Sequence, residues 1–227
     1  MNLTNLFQNP FRREPPGQAP ARPRPTVRVK QLEERDRRRM LKHFLLLESD
    51  DRLLRFGTVL PDELITTYVQ NIDFARDSVY GVYNRVFKLV AVGHLAFAPT
   101  DAKPSASTSK DCVAEFGVSV ARSMRGLGVG TKLFERAAIH CRNVDVDTLY
   151  MHCLSSNQTM MHIAKKAGME ISRDHGEADA YLKLSPANPG TVLHEAVEEQ
   201  FAFLDYAVKA NTRAAVKWFD RLPRRKS

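Results

Sequence analysis

The sequence predicts an α/β (α+β) fold, in which a mixed, mostly antiparallel central sheet is flanked by helices and followed by an extra C-terminal helix. Three features support this prediction. Alternating apolar residues predict hairpins, one of them over residues 78–97. A strand pattern over residues 113–120 runs through a glycine-rich turn into a helix pattern. Residues 191–222 combine high helix propensity with apolar residues at helical spacing.

The other elements are predicted from the same periodicities. Those before the central strand are a strand over residues 26–32, a helix over residues 33–48, a second helix that begins at Pro61 and ends at Asn71, and a hairpin over residues 78–83 and 87–97 that turns at Asn84 and Arg85. Those after the glycine-rich turn are a helix, a strand over residues 149–154, a helix from Asn157 to Gly168, and closing strands over residues 170–172 and 180–184 with a turn at residues 174–177. Residues 99–111 are predicted to form a mobile loop because serine, threonine, alanine and proline dominate there.

The composition changes near both ends of the chain, which indicates the domain boundaries. Residues 1–25 hold six of the twelve prolines and are predicted to be a disordered tail. Prolines and a glycine then separate a main domain, residues 26–186, from a helical extension, residues 187–222, and a basic tail, residues 223–227. We expect the extension to pack back on the sheet, with pairing of two subunits in a homodimer as the alternative. Its helical stripe consists of Leu193, Val197, Phe201, Leu204 and Val208.

The net charge of +8 lies mostly in the two tails. Residues 1–25 contain four arginines against one glutamate, and residues 221–227 contain four basic residues. We therefore expect the charge to aid solubility rather than to bind nucleic acid. No apolar run approaches the ~20 residues that span a membrane. The three cysteines show no paired spacing, so a reduced, cytoplasmic protein without a membrane partner is expected.

The central strand carries a single carboxylate. One of its faces consists of Ala114, Phe116, Val118 and Val120, and the other of Val113, Glu115, Gly117 and Ser119. The first face is apolar throughout, which predicts that it packs on the core. Glu115 is then expected to point to the opposite side of the sheet.

The turn after this strand reads Arg125-Gly126-Leu127-Gly128-Val129-Gly130. Glycine allows the backbone to approach a ligand closely, and the first N–H groups of the following helix have no internal partner. The combination predicts an anion site of pyrophosphate size, with a purely structural turn as the alternative. The site is neither a nucleotide-triphosphate loop nor a dinucleotide fingerprint, because Thr131, Lys132 and Leu133 break those two patterns.

Arg125-x-x-Gly128-x-Gly130 after a glutamate-bearing strand resembles the acetyl-CoA signature of the GNAT superfamily of N-acetyltransferases. The downstream strand and the helix that opens at Asn157 also follow the order of that family. The resemblance covers about residues 27–184. It implies the GNAT fold, acetyl-CoA as co-substrate and a primary amine as acceptor.

The resemblance also implies roles for individual residues. Glu115 would be the general base that takes a proton from the attacking amine, with a structural or salt-bridged role as the alternative. The strand would contact pantetheine through its main chain, and the turn would hold the pyrophosphate. Asn157 would contact the cofactor, with simple helix capping as the alternative. The implied cofactor-binding residues are Val118, Ser119, Val120, Arg125, Gly126, Leu127, Gly128, Val129, Gly130 and Asn157.

Within the superfamily, the chain is similar to the bacterial protein-lysine acetyltransferases, without the synthetase-like domain fused to some of them. The similarity lies in Asp51-Arg52-Leu53-Leu54-Arg55-Phe56, Ala114-Glu115-Phe116 and Asn157-x-x-Met160. Two positions depart from the pattern. Ala164 stands where many superfamily members have a tyrosine that protonates the leaving thiolate, and Gly57 stands where the lysine acetyltransferases often have an aromatic residue. The group that protonates the thiolate is therefore not identified.

Several alternatives stay open at this point. The acceptor is a protein lysine or a small amine such as a polyamine or a drug, and the missing tyrosine also allows a non-catalytic acyl-CoA sensor. His94 and His152 lie in predicted strands, where a packed and hydrogen-bonded histidine is more common than a proton relay. The histidines and cysteines show no zinc-ligand spacing, so no metal is expected.

Overall fold

The computed structural model describes residues 27–97 and 112–220, with side chains as far as residue 214. The predictions for the tail of residues 1–25, the loop of residues 99–111 and the basic tail of residues 223–227 lie outside the described residues. The helices and strands are, in chain order, β1 Lys30–Gln31, α1 Arg37–Leu45, α2 Ser49–Phe56, α3 Asp62–Asn71, β2 Ser78–Tyr83, β3 Leu89–Phe97, β4 Val113–Val120, α4 Val129–Asn143, β5 Thr148–Leu154, α5 Gln158–Lys166, β6 Glu170–Asp174, β7 Glu177–Lys183 and α6 Pro189–Asp220. Short 3-10 helices, Glu34–Asp36 and Arg122–Met124, precede α1 and α4.

The strands form one sheet of seven in the order β1-β2-β3-β4-β5-β7-β6. β4 and β5 run parallel, and the other described pairs are antiparallel. The predicted mixed, mostly antiparallel sheet is therefore confirmed. α4 and α5 pack on one face of the sheet, and α1 and α3 pack on the other. None of the described helices is long and apolar enough to cross a membrane.

The two faces of β4 separate as the alternation predicts. Ala114 and Phe116 are buried in the core beneath α4, where the Phe116 ring meets the Phe134 ring edge-on at 5.6 Å. Glu115 is exposed on the opposite face. The apolar side of the strand therefore anchors it, and the carboxylate is presented on the side where α1 to α3 lie.

The N-terminal part of the chain contains one helix more than predicted. The sequence predicts two helices after the first strand, and α2 forms a third between them. The residues that favour this helix lie within it or next to it. Asp50 and Asp51 lie in its first turn, and Gly57 ends it with a left-handed φ of 73°. Pro61 is the residue before α3 rather than its first residue.

The first strand is shorter than predicted, because Lys30 and Gln31 are the described residues that pair with β2. The chain then turns at Asp36, whose buried carboxylate accepts hydrogen bonds from Lys30 Nζ and the Tyr83 hydroxyl, each at 2.9 Å. These bonds hold the turn against the sheet, and α1 starts only at Arg37. The closing hairpin is longer than predicted, since His175 and Gly176 form a tight turn with φ of 44° and 93°.

α6 packs back on the rest of the fold through a face that its apolar spacing does not predict. Lys209 Nζ donates to the Tyr83 carbonyl at 2.9 Å, and Arg213 Nη1 donates to the Phe87 carbonyl at 2.8 Å. The rings of Tyr83 and Phe87 stack on each other, and the ring of Tyr206 meets both of them edge-on at 5.3 and 5.0 Å. The predicted stripe is exposed instead, and it consists of Leu193, Val197, Phe201, Leu204 and Val208.

Candidate active site

The site is built around the point where β4 and β5 separate. The two strands pair at Val113–Thr148, Ala114–Leu149 and Glu115–Tyr150, and no described pairing follows. β4 nevertheless continues to Val120 and β5 to Leu154. A wedge-shaped gap therefore opens beyond Glu115, and the open edge of β4 forms one of its walls.

The main chain of β4 presents groups to this gap that have no partner in β5. Ala121 N–H donates to the Val90 carbonyl of β3 at 2.8 Å, and N–H groups along a strand alternate between its two edges. The N–H and C=O groups of Val118 and Val120 therefore point toward the gap. Consistent with this direction, the Val120 carbonyl accepts a hydrogen bond from Arg125 Nε at 3.1 Å.

The glycine-rich turn forms the end of the gap. Gly126 and Gly128 have left-handed φ of 73° and 77°, and a Cβ at either position would meet nothing within 4 Å. Gly128 precedes α4, a helix of 15 residues with no acidic side chain in its first turn. The first N–H groups of α4 have no intrahelical partner, and Gly128, Val129 and Gly130 line an open cleft, as an anion site requires.

A cleft of about 420 Å³ joins the gap to α2 and α5. Nine of the ten predicted cofactor-binding residues line it, and the exception is Leu127, whose side chain packs against the core. The nine are Val118, Ser119, Val120, Arg125, Gly126, Gly128, Val129, Gly130 and Asn157. His162 and Lys166 of α5 add positive or titratable groups to its wall.

Arg125 connects the turn to α2. Its Nη2 forms an ion pair with Asp51 Oδ1 at 2.7 Å, and the Asp51 side chain is only 8% exposed. The guanidinium is therefore held at the cleft wall by a buried carboxylate. Asp51 was not among the predicted site residues, although it lies in the same acidic first turn of α2 that signals the helix.

Asn157 caps α5 and also connects two helices. Its side-chain oxygen accepts from Met160 N–H at 3.1 Å, and its Nδ2 donates to the Leu54 carbonyl of α2 at 3.2 Å. The capping role is thus present in the structure. Because the residue is buried at the cleft wall, it also keeps α5 and α2 at a set separation across the cleft.

Ser119 is buried and paired rather than exposed. Its hydroxyl lies 2.9 Å from Nε2 of His43, a residue of α1. Burial lowers the pKa of His43 to about 4, so the ring is neutral at physiological pH. An uncharged histidine therefore holds the Ser119 hydroxyl in place at the cleft.

A chain of hydrogen bonds near the gap was not predicted. It runs from Asp77 Oδ2 to His94 Nε2, from His94 Nδ1 to the Tyr68 hydroxyl, and from that hydroxyl to Arg55 Nη2, each at 2.9 Å. His94 is hydrogen-bonded on both ring nitrogens. Burial lowers the pKa of His94 and raises that of Tyr68, so both are neutral at physiological pH.

The other predicted positions have simpler environments. Ala164 is 1% exposed and lies in the core, so the position of the missing tyrosine offers no hydroxyl to the cleft. His152 Nδ1 lies 2.8 Å from Asp179 on the exposed side of the sheet. In the part of the chain that the structure describes, no group of three or more histidine, cysteine or acidic residues is arranged to hold a metal.

Replacing Gly128 with alanine tests the anion site. A left-handed φ costs a residue with a Cβ about 1–2 kcal/mol, so the backbone would twist and turn its N–H groups away from their common target. We expect the dissociation constant of acetyl-CoA to rise by about tenfold or more, measured by calorimetry. Gly168→Ala is the matched control, because Gly168 has a similar left-handed φ of 73° and open space around it at the far end of α5. Equal effects of both changes on binding would contradict the site.

Comparisons with known proteins agree with this geometry. The model of the acetyltransferase (GNAT) family matches residues 3–169 of the chain. The chain is similar to the GNAT domain of S. lividans PAT, with a TM-score of 0.57 and 18% identity over 70% of this chain and 90% of that one. It is also similar to an N-acetyltransferase from Staphylococcus aureus Mu50, with a TM-score of 0.54 and 13% identity over 70% and 99% of the two chains. Such low identities show the fold alone, and no curated protein matches the sequence.

Proposed function

Because the chain belongs to the acetyltransferase (GNAT) family, we propose that it transfers the acetyl group of acetyl-CoA to the side-chain amine of a lysine in a basic protein. Family membership makes the chain an N-acetyltransferase. The lysine acceptor and the roles of the individual residues are what we propose.

The position of Glu115 at the fork of β4 and β5 carries this proposal. The carboxylate stands on the last described pair of the two strands, on the exposed face of the sheet. The open edge of β4, the glycine-rich turn and the cleft begin immediately after it. A donor in the cleft and an amine on the exposed face would therefore meet beside Glu115.

The chemistry assigns one task to each part of the site. An amine attacks a thioester only when it is neutral, and Glu115 would take its proton directly or through a water molecule. The Val118 N–H would donate to the thioester oxygen, on which negative charge develops during attack. The start of α4 and Arg125 would hold the pyrophosphate.

The acceptor surface is the exposed face of the sheet beyond β4. Asp179 accepts hydrogen bonds from the Tyr150 hydroxyl at 2.6 Å and from His152 at 2.8 Å, and the bond from Tyr150 is the main reason why its pKa is lowered. Glu177 adds a second carboxylate and Tyr181 an exposed ring on the same side. A face that combines carboxylates with tyrosine rings suits a lysine flanked by other basic residues.

The test is acetyl-CoA-dependent thiol release with a panel of acceptors. It compares lysine peptides with basic flanks, lysine peptides with acidic flanks, free amino acids and a polyamine. We expect the highest kcat/KM with basic flanks, and Asp179→Asn should lower that value by about two- to fivefold. Added salt should reduce the difference between the two peptide classes.

The same panel contains the outcomes that oppose the proposal. Turnover of the small amines alone would replace the protein lysine with a small-molecule acceptor. Binding of acetyl-CoA without release from any member of the panel would favour a sensor. Failure of acetyl-CoA to bind would contradict the assignment of the cleft.

A further inference from the structure

Arg55 places a cation beside the gap between β4 and β5. A Cβ on Gly117 would lie 2.7 Å from the Cζ, Nη1 and Nη2 atoms of Arg55, so the guanidinium occupies the space above this glycine. Gly117 is two residues beyond Glu115, at the start of the unpaired edge of β4. Arg55 also lines the cleft. The cation therefore stands where the thioester would react.

A chain of hydrogen bonds holds the guanidinium in place, and the Asp77 carboxylate at its end determines which atom donates in each bond. A carboxylate only accepts hydrogen bonds, so His94 Nε2 carries a proton toward Asp77. His94 Nδ1 then accepts from the Tyr68 hydroxyl, and the hydroxyl oxygen accepts from Arg55 Nη2. The rings of Phe56 and Tyr68 lie 5.1 and 5.7 Å from the guanidinium carbon. Side chains from α2, α3 and β3 thus orient one cation.

Arg55 keeps donor capacity that the fold does not use. Within the described residues, its Nε is buried without a hydrogen-bond partner, and no carboxylate forms an ion pair with it. A buried donor without a partner is costly and rare in folded proteins. The hydrogen bond described for the guanidinium uses Nη2, so Nη1 is the donor that remains for a negatively charged group that enters the cleft.

We infer that Arg55 is a further catalytic residue, which holds the negative charge of the departing thiolate; this inference rests on the proposed function. The amine nitrogen bonds to the acetyl carbon, and the C–S bond breaks with its electron pair moving to sulfur. The amine proton passes to Glu115. The sulfur stays a thiolate beside Arg55 and takes a proton from solvent as CoA leaves, and Glu115 releases the amine proton to solvent, which restores its carboxylate. Under this arrangement no acid is needed at Ala164.

Other charged and titratable groups surround the same point. They are His43 of α1, Asp51 of α2, Tyr68 of α3, Asp77 before β2, His94 of β3, Glu115 of β4, Arg125 of the glycine-rich turn, and His162 and Lys166 of α5. The charge of Arg55 contributes to the lowered pKa values of His43 and His94, although burial is the larger cause. With both histidines neutral, Arg55 is the cation closest to Gly117 among these groups by the contacts described.

The experiment titrates the thiol of bound CoA. The ultraviolet absorbance of the thiolate is followed against pH at saturating CoA, and the same protein with desulfo-CoA is subtracted to remove cysteine and tyrosine signals. An opposite charge at a few ångströms lowers a pKa by about 1–3 units, so we expect a shift of that size from the free thiol in the wild type. Arg55→Gln should remove most of the shift, and Arg55→Lys should keep part of it.

Two further variants make the result specific. Arg125→Gln should weaken CoA binding and keep most of the shift of the bound thiol at saturation, because the guanidinium of Arg125 contacts the Asp51 carboxylate and the Val120 carbonyl, whereas that of Arg55 occupies the space above Gly117. Tyr68→Phe should reduce the shift, and it replaces Arg55→Gln if that variant does not fold. If the pKa of the bound thiol is unshifted in the wild type, or is shifted equally in the wild type and in Arg55→Gln, the role of Arg55 is overturned and the proposed function still stands. Failure of CoA to bind the wild type would overturn the proposed function.

Discussion

Replacing Glu115 with glutamine is expected to lower kcat by about 10²–10⁴ while acetyl-CoA binding stays within a few-fold of wild type. The amide keeps the shape of the side chain and cannot accept the amine proton. Since Glu115 stands outside the cleft lining, its loss should not disturb the cofactor contacts. Steady-state thiol release gives kcat, and calorimetry gives the dissociation constant.

Glu199→Gln is the control for this prediction. Glu199 is an exposed carboxylate on α6, outside the cleft and the proposed acceptor face, and its removal changes the charge by the same amount. We expect its kcat to stay close to that of the wild type. A Glu115→Gln enzyme that keeps most of its kcat would show that the proton leaves by another route.

The second large effect is expected at Glu195, which joins α6 to α4. Its carboxylate forms an ion pair with Arg136 at 2.5 Å, contacts His140 Nδ1 at 2.9 Å and accepts from Asn143 Nδ2. The Arg136 side chain is only 2% exposed. Breaking a buried pair leaves an uncompensated charge, so Glu195→Gln should lower the free energy of unfolding by about 3–5 kcal/mol. Urea unfolding measures this loss.

Glu198→Gln is the control on the same helix. Glu198 is partly exposed and lies 3.6 Å from His194, also on the surface, so we expect a change within about 0.5 kcal/mol. A similar loss in both variants would mean that α6 tolerates no change at all. A stable Glu195→Gln protein would show that the apolar contacts of α6 suffice to hold it.

The pH dependence of stability provides a second test of the contacts that Glu195 makes with α4. Burial raises the pKa of Glu195, but bonds from His140 and Asn143 and the charge of Arg136 outweigh it and lower the pKa to about 2, from an ordinary 4.5. A carboxyl group whose pKa is lower in the folded than in the unfolded state stabilises the folded protein at pH values above its unfolded-state pKa. This contribution should therefore be complete above about pH 4.5 and disappear as the pH falls toward 2. Glu195→Gln should lack that part of the acid dependence.

Much of the sheet, the glycine-rich turn and the cap of α5 could be predicted, because residues close together in the sequence determine each of them. The alternation around Phe116 needs only neighbouring residues to show which face of β4 is buried. Gly126 and Gly128 adopt the left-handed φ that their lack of a side chain permits. Asn157 caps the helix that follows it, as its residue type favours.

The side-chain contacts that α1, α2 and α3 make around β3 and β4 could not be predicted in the same way. Ser119 and His43 are 76 positions apart, and Tyr68 and His94 are 26 apart. Nothing in the spacing of such residues indicates that they touch. The position of Arg55 depends further on Gly117, where any side chain would displace the guanidinium.

The sequence by itself determined the family, the central strand with its single carboxylate and the glycine-rich turn, because hydrogen bonding and side-chain alternation within a few residues decide these features. Only the tertiary structure decided which face of α6 is buried. The apolar spacing indicates Leu193 to Val208, whereas the buried ion pair of Glu195 and the carbonyl contacts of Lys209 select another face. A charge buried without its partner is costly, so the polar contacts determine the orientation of the helix and leave its apolar stripe exposed.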